Sequence, residues 1–237
     1  MAMKIAIIET GRPPEQIRSQ HPSYPQMFER LIGERGSFSV LFIPAHDGAT
    51  LPSTSDFDGL LITGSPAGVY EGHDWIAPLE ELVRKSAIAN KPQVGICFGH
   101  QLMAQAFGGK VEKSDRGWGV GVHTYNVTKP KDWMNPAIGR IACAVSHQDQ
   151  VIDAPAGAEV LAGSDFCRNG TLSYAQGPAI SFQMHPEFGH DFATDLINIR
   201  RNRIPADIAE TGLTSLKGKS DRGTISDWIV NFFNCHR

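Results

Sequence analysis

Three side chains able to cleave an amide through a covalent intermediate stand at two points of this chain. One is the cysteine of Gly95-Ile-Cys-Phe-Gly99; the others are the histidine and glutamate of Gln183-Met-His-Pro-Glu187. Cys97 follows an apolar run and precedes a helical pattern, the setting in which a sharp strand-to-helix turn projects a nucleophile from the end of a sheet. Flanking glycines permit the close backbone contacts such a turn requires. The turn also aims the Phe98 N–H at the reacting centre and sets the sulfur at the positive end of the next helix. An ordinary core thiol would look the same, because cysteine is among the most buried residue types. The string alone leaves both readings open.

A thiol nucleophile needs a base. In an extended chain residues i and i+2 project to the same side, and Pro186 fixes the backbone between His185 and Glu187. His185 can then take a proton from Cys97 while Glu187 holds the ring in its tautomer and stabilises the imidazolium. A lone strand-end histidine is more often a surface residue, and the chain has nine histidines. The pairing favours chemistry: a nucleophile on one strand-end turn, a base and an acid on another.

Other chemistries fit these residues poorly. His-x-Glu also occurs in zinc deaminases, which need a Pro-Cys-x-x-Cys downstream, and only Cys235 follows Glu187. Gly117-Trp-Gly-Val-Gly121 resembles part of a dinucleotide fingerprint, but a strand-like run follows it, so a phosphate would lack its helix N-terminus. There is no P-loop. Cys97, Cys143, Cys167 and Cys235 are scattered, without a disulfide framework or metal-type spacing. The expectation is a cytoplasmic protein with free thiols and neither metal nor cofactor. A formal net charge of -3 gives no electrostatic case for nucleic acid or an anionic membrane. The N-terminal apolar run lacks the pattern of a signal peptide, and no stretch approaches a membrane span. Small molecules or other proteins are the expected partners.

The elements that must position these residues alternate up to about residue 110. Strands are expected at Lys4–Ile8, Ser39–Ile43, Phe57–Thr63 and Pro92–Cys97, and helices at Ser23–Glu34, Trp75–Ala89 and His100–Phe107. That alternation predicts α/β architecture: an open, mostly parallel central sheet flanked by helices. Short strand-like runs follow at Val120–Thr128, Ile141–Ser146, Glu159–Gly163, Thr171–Gln176 and Ala179–Met184, an added antiparallel portion. Ala193–Arg203 and Ile225–Phe233 read as helices, and Arg200–Ser220 as a mobile polar connection. With no repeat or linker, residues 1–237 are expected to form a single domain, with its core at about 3–190 and a C-terminal helical extension at about 191–237.

Gly95-Ile-Cys-Phe-Gly-His-Gln101 together with Gln183-Met-His-Pro-Glu187 resembles the class I, triad-type glutamine amidotransferases. It is most similar to stand-alone proteins akin to the glutaminase domain of GMP synthase. The resemblance covers the chain from its first strand to about residue 190 and implies a flavodoxin-like fold. It implies Cys97 as nucleophile, His185 as base and Glu187 as orienting acid. Gln101 is similar to the family glutamine that contacts substrate. Phe98 would supply one oxyanion N–H and the Gly64-Ser65 turn the other. Ser146-His-Gln-Asp-Gln-Val151 resembles the segment that grips the α-amino and carboxylate groups of glutamine, through Ser146, His147 and Gln148.

The chain departs from the pattern at Gly64-Ser-Pro66, where the family usually carries two glycines, and at Gln148, where a glycine is usual. Lys129–Ile138 looks like an insertion near the site. The implied activity is hydrolysis of the γ-amide of glutamine through a Cys97 thioester, with release of ammonia. No synthetase module fits in the residues that remain, so the ammonia goes to a partner synthase subunit or is set free. Two alternatives stand beside it: a γ-glutamyl peptidase acting on γ-glutamyl compounds, and a non-catalytic binding or regulatory protein on the same fold.

Overall fold

A computed structural model describes residues 2–237. The first half runs β1 (Met3–Glu9), a short α1 (Glu15–Arg18), α2 (Tyr24–Gly33), β2 (Phe38–Pro44), β3 (Gly59–Ile62), α3 (Ile76–Ile88), β4 (Gln93–Ile96) and α4 (Phe98–Ala106). The second half adds β5 (Lys110–Lys113), β6 (Gly119–Val127), β7 (Arg140–His147), β8 (Asp149–Asp153), β9 (Glu159–Gly163), β10 (Thr171–Ser173) and β11 (Ala179–Phe182). Three helices close the chain: α5 (His190–Ile199), α6 (Ala206–Ser215) and α7 (Arg222–Cys235).

Nine strands form one sheet in the order β2-β1-β3-β4-β11-β10-β9-β6-β7. From β2 to β11 every pairing is parallel, and from β11 onward the pairings are antiparallel. β3, β4 and β11 are buried along their whole length, as strands covered by helices on both faces must be, and they read as continuous apolar runs for that reason. Local signals agree with the elements. Ser23 and Gln26 close a capping box on α2, each side chain bonded to the other's backbone N–H. The expected architecture, parallel core and antiparallel addition alike, is the one observed.

Four expectations need correction. α4 begins at Phe98 rather than His100, because the helix starts directly from the Cys97 turn. β5 and β8 pair as a separate antiparallel ribbon; charged residues at most positions of β5 hide the strand pattern. The supposed mobile connection at 200–220 contains α6, which packs on β6 through small residues. A Cβ at Gly212 would meet Val120 Cγ2 at 2.9 Å and one at Gly121 would meet Gly212 O at 2.5 Å. Packing by small residues leaves little hydropathy periodicity to read. Finally, the 129–138 segment docks on α7 rather than on the site: Trp228 Nε1 donates to Pro136 O (3.0 Å) and Asn231 Nδ2 to Trp133 O (3.2 Å) and Asn135 O (3.0 Å).

Candidate active site

β3, β4 and β11 lie side by side and parallel, so the residues after their carboxyl ends meet above one edge of the core. Sites in open α/β sheets form at such ends. Gly64 follows β3, Cys97 follows β4, and His185 comes just after β11.

Cys97 has φ 52° and ψ -99°, a region a side chain adopts only when the surroundings impose it. Two features impose it here. Its N–H is pinned to Phe182 O at 2.8 Å, and the helix that follows approaches too closely for side chains. A Cβ at Gly99 would lie 2.4 Å from Ile62 O, and one at Gly95 2.5 Å from Gly99 O. These are the contacts that make glycine necessary on both sides of the turn. Of the first-turn amides, Gly99 N–H bonds Thr63 O at 3.2 Å, and Phe98 N–H is the one adjacent to the sulfur. The Phe98 ring turns away into the core, 5.3 Å from Trp75.

His185 and Glu187 are joined by a 2.6 Å hydrogen bond from Nδ1 to Oε1, both side chains being buried. Their geometry differs from the extended chain expected. Phe188 N–H bonds His185 O at 3.2 Å, so His-Pro-Glu-Phe is a β-turn with Pro186 at its second position, where its fixed φ suits the turn. The turn, rather than strand alternation, brings the carboxylate to the ring. Phe188 stacks on the imidazole at 4.0 Å and 4°. Arg222 holds the turn from behind, Nε to Pro186 O (2.9 Å) and Nη2 to Glu187 O (3.4 Å).

The electrostatics follow. Burial alone would push the His185 pKa down, but the Glu187 carboxylate, and after it the nearby Cys97, overcome this and raise it to about 10. A carboxylate hydrogen-bonded to one buried ring favours the imidazolium. Gln183 Nε2 adds a donor to Cys97 Sγ at 3.5 Å.

The Gly64-Ser65 turn stands against this pair. A Cβ at Gly64 would meet His185 Cε1 at 2.8 Å and Cys97 Cβ at 3.7 Å, so only glycine lets the backbone approach. Thr10 and Thr63 anchor the turn: Thr10 N–H donates to Thr63 Oγ1 (3.1 Å), and Thr10 Oγ1 donates to Thr63 O and Gly64 O (both 3.0 Å). Ser65, where the family usually has a second glycine, keeps a negative φ, and its Oγ accepts from Ala67 N–H at 3.1 Å. A side chain costs no backbone strain there.

The remaining expected residues line one cleft with Cys97 and His185, open to solvent. Gln101 Nε2 donates to Asp149 O (2.9 Å) and Gln183 Oε1 (3.1 Å), fixing the amide at the cleft wall. Ser146 Oγ accepts from Arg200 Nη1 at 2.8 Å. His147 is turned to its own strand connection, Nδ1 to Asp149 O at 3.0 Å. Burial, and to a smaller extent the neighbouring His123, lower its pKa to about 3, so it is a neutral ring at physiological pH. Gln148 sits at the cleft beside Asp149, whose carboxylate accepts from the Tyr70 hydroxyl at 2.9 Å.

Several cleft residues carry no motif in the sequence: Tyr24 of α2, Trp118 ahead of β6, and Arg200 and Arg203 after α5. Trp118 belongs to the glycine-rich string weighed as a dinucleotide fragment. Its glycines serve a turn (Gly117, φ 73°) and the α6 contact (Gly121, φ 84°). Among the described residues no group of three or more His, Cys, Asp or Glu is placed to hold a metal ion, and no helix is long and apolar enough to cross a membrane.

Residues 20–197 match the family described as Glutamine amidotransferase class-I. The chain is 29% identical over 223 residues to γ-glutamyl peptidase 4 of Arabidopsis thaliana, spanning 88% of this chain and 86% of that protein. It is 34% identical over 167 residues to a subunit of the glutamine-hydrolyzing GMP synthase of Archaeoglobus fulgidus, spanning 70% of this chain and 85% of that one. Among solved structures, a glutamine amidotransferase from Thermotoga maritima superposes with a TM-score of 0.77 at 17% identity, over 99% of this chain and 97% of that one.

Proposed function

The chain belongs to the class I glutamine amidotransferase family, and from that premise we propose that it is a cysteine-dependent hydrolase of γ-glutamyl amide bonds, working through a Cys97 thioester. The observation that carries the reading is the convergence of Cys97, on its forced turn, with the 2.6 Å His185–Glu187 pair in one cleft. In the first half-reaction Cys97 Sγ forms a bond to the γ-carbonyl carbon. Phe98 N–H and the Gly64-Ser65 turn receive the oxyanion, a donor of this kind contributing roughly 3 kcal/mol. The C–N bond then breaks as His185 passes its proton to the departing nitrogen. In the second half-reaction His185 takes a proton from water, hydroxide adds to the thioester, and the C–S bond breaks to release a γ-carboxylate. Gln101, Ser146, His147 and Gln148 are proposed to hold the α-amino and carboxylate groups of the γ-glutamyl half.

With glutamine as substrate the departing amine is ammonia, set free or passed to a partner synthase. Such a partner is supported by relatives that are themselves named as subunits of glutamine-hydrolyzing GMP synthases. A second reading, the γ-glutamyl peptidase, is favoured by one observation: Tyr24, Trp118, Arg200 and Arg203 line the cleft together with Cys97 and His185, a wider set of side chains than ammonia release requires. Relatives named as γ-glutamyl peptidases, matched over most of their length, support it. Either reading needs reduced thiols, in keeping with a cytoplasmic setting. The test is Cys97→Ser, with glutamine and γ-glutamylglycine each offered to both proteins. Hydrolysis is expected to fall by about 10³-fold or more with an unchanged melting midpoint, and mass spectrometry is expected to find the γ-glutamyl adduct on Cys97 of the parent. A Cys97→Ser protein as active as the parent would sink the catalytic reading and leave a binding role on the same fold.

A further inference from the structure

Ser65 N–H makes no hydrogen bond among the described residues, so what aims it lies on the far side of its own peptide. A trans peptide is planar, with its C=O and N–H on opposite sides. Whatever holds Gly64 O therefore sets the direction of Ser65 N–H.

Gly64 O is held from the β1 side. Thr10, the residue after β1, donates from Oγ1 to Gly64 O at 3.0 Å, and Thr63 Oγ1 donates to the same oxygen at 3.2 Å. The Thr63 hydroxyl accepts from Thr10 N–H at 3.1 Å, which leaves its own proton for Gly64 O. The regular ladder, with Thr63 N–H on Ile8 O at 3.1 Å, would continue from Thr10 N–H to Thr63 O. The two side chains replace that bond, so the Thr10 hydroxyl reaches both Thr63 O and Gly64 O. Both threonines are buried, at 1% and 0% exposed. Gly11 closes on the turn from the same direction: a Cβ there would meet Pro66 Cδ at 2.6 Å and Ser65 Cα at 3.3 Å. In the sheet β3 lies between β1 and β4. A carbonyl turned toward the end of β1 leaves the N–H of the same peptide turned toward the end of β4, where Cys97 stands. Gly64 faces that side, since a Cβ on it would meet His185 and Cys97.

The geometry points to Thr10 as the positioning residue of the oxyanion site: its hydroxyl holds Gly64 O and so aims Ser65 N–H at the oxygen that becomes negative when Cys97 Sγ adds to the carbonyl. This inference rests on the thioester reading above and deepens it. As the S–C bond forms, the carbonyl π pair moves onto oxygen, and no proton or further reactant is needed there. Ser65 Oγ, accepting from Ala67 N–H at 3.1 Å, braces the same peptide from its other end. The donor is thus fixed before substrate arrives, as electrostatic stabilisation requires.

The experiment separates acylation from simple thiol reactivity. Alkylation of Cys97 by iodoacetamide needs the thiolate but forms no oxyanion, whereas hydrolysis of glutamine or γ-glutamylglycine forms one in each half-reaction. Thr10→Val keeps the side-chain volume and removes the hydroxyl. It should lower kcat and kcat/KM by a common factor of about 10 to 100. Alkylation of Cys97, followed by peptide mass spectrometry, should stay within about twofold of the parent, because the thiolate is untouched. Thr10→Ser keeps the hydroxyl and should recover kcat to within about threefold. Thr10→Ala removes the same group and carries the test should Thr10→Val not fold. A hydroxyl-free variant as active as the parent overturns the inference, as does a Thr10→Ser protein as slow as Thr10→Val. Alkylation that falls by the same factor as hydrolysis overturns it too, since Thr10 would then only hold the site together. Each of these results leaves the thioester reading standing. A parent that cleaves neither substrate and forms no Cys97 adduct ends that reading, and the role of Thr10 with it.

Discussion

His185 lines the cleft with Cys97, and its charge depends on a third residue. Glu187 is the largest influence raising the His185 pKa against burial, to about 10. Because the folded value lies above the ordinary 6.5, the pairing contributes stability that is complete below about 6.5 and is lost as pH rises through about 10. In the proposed mechanism His185 gives its proton to the leaving amine, so activity should hold on the alkaline side until pH approaches 10. Glu187→Gln removes the carboxylate and should move the alkaline limb of kcat toward neutral pH, with a lower maximum. Rates measured from pH 6 to 11 check this, and an unmoved limb would show that Glu187 does not set the charge of the ring. At this scale the sequence singles out Cys97, His185 and Glu187 through a glycine-flanked thiol and a His-Pro-Glu string, and the fold brings them together. What it misses is how His185 and Glu187 meet. An extended strand and a β-turn both bring i and i+2 within reach, and only the Phe188-to-His185 bond distinguishes them.

Elements buried by large apolar side chains are legible, and elements buried by small or charged ones are not. β1, β3, β4 and β11 show up as apolar runs. α6 does not, because Gly212 and Ala209 pack it closely against β6 with little hydrophobic bulk. The 129–138 segment shows the same limit in a loop. Its sequence reads as an insertion beside the site, yet Met134 is 2% exposed in the core cluster that holds Trp228 and Phe232, and Trp133 packs on Phe232 with ring centres 5.6 Å apart. The segment therefore contributes to stability rather than to the cleft. Met134→Ala should destabilise the protein by about 2–4 kcal/mol, read from denaturant midpoints. Its kcat/KM on glutamine or γ-glutamylglycine should be unchanged at temperatures well below melting. A large loss of activity without a loss of stability would place the segment back at the site.

Across the whole molecule, the residues after 190 do more than extend a core. Ile225, Trp228, Ile229 and Phe233 of α7 are 0% exposed and belong to the cluster built on Ile5, Ile7 and Leu61 of the central sheet. Burying such side chains contributes about 1.5–3 kcal/mol each, so together they are comparable with the entire stability of a typical domain. A chain ended at residue 221 should lose its cooperative thermal transition and its near-UV circular dichroism; a sharp transition retained by that chain would refute this.

The sequence by itself determined the fold class and set apart the strings that carry the candidate triad, since apolar periodicity, turn glycines and rare residue pairings are local and survive in one dimension. Tertiary structure alone decided what shares the cleft with them. Tyr24, Trp118, Arg200 and Arg203 come from separate elements and carry no common spacing, and they meet only because parallel strands end side by side and α5 folds back over them. Which side chains share the cleft is a property of that three-dimensional neighbourhood, and no string of residues records it.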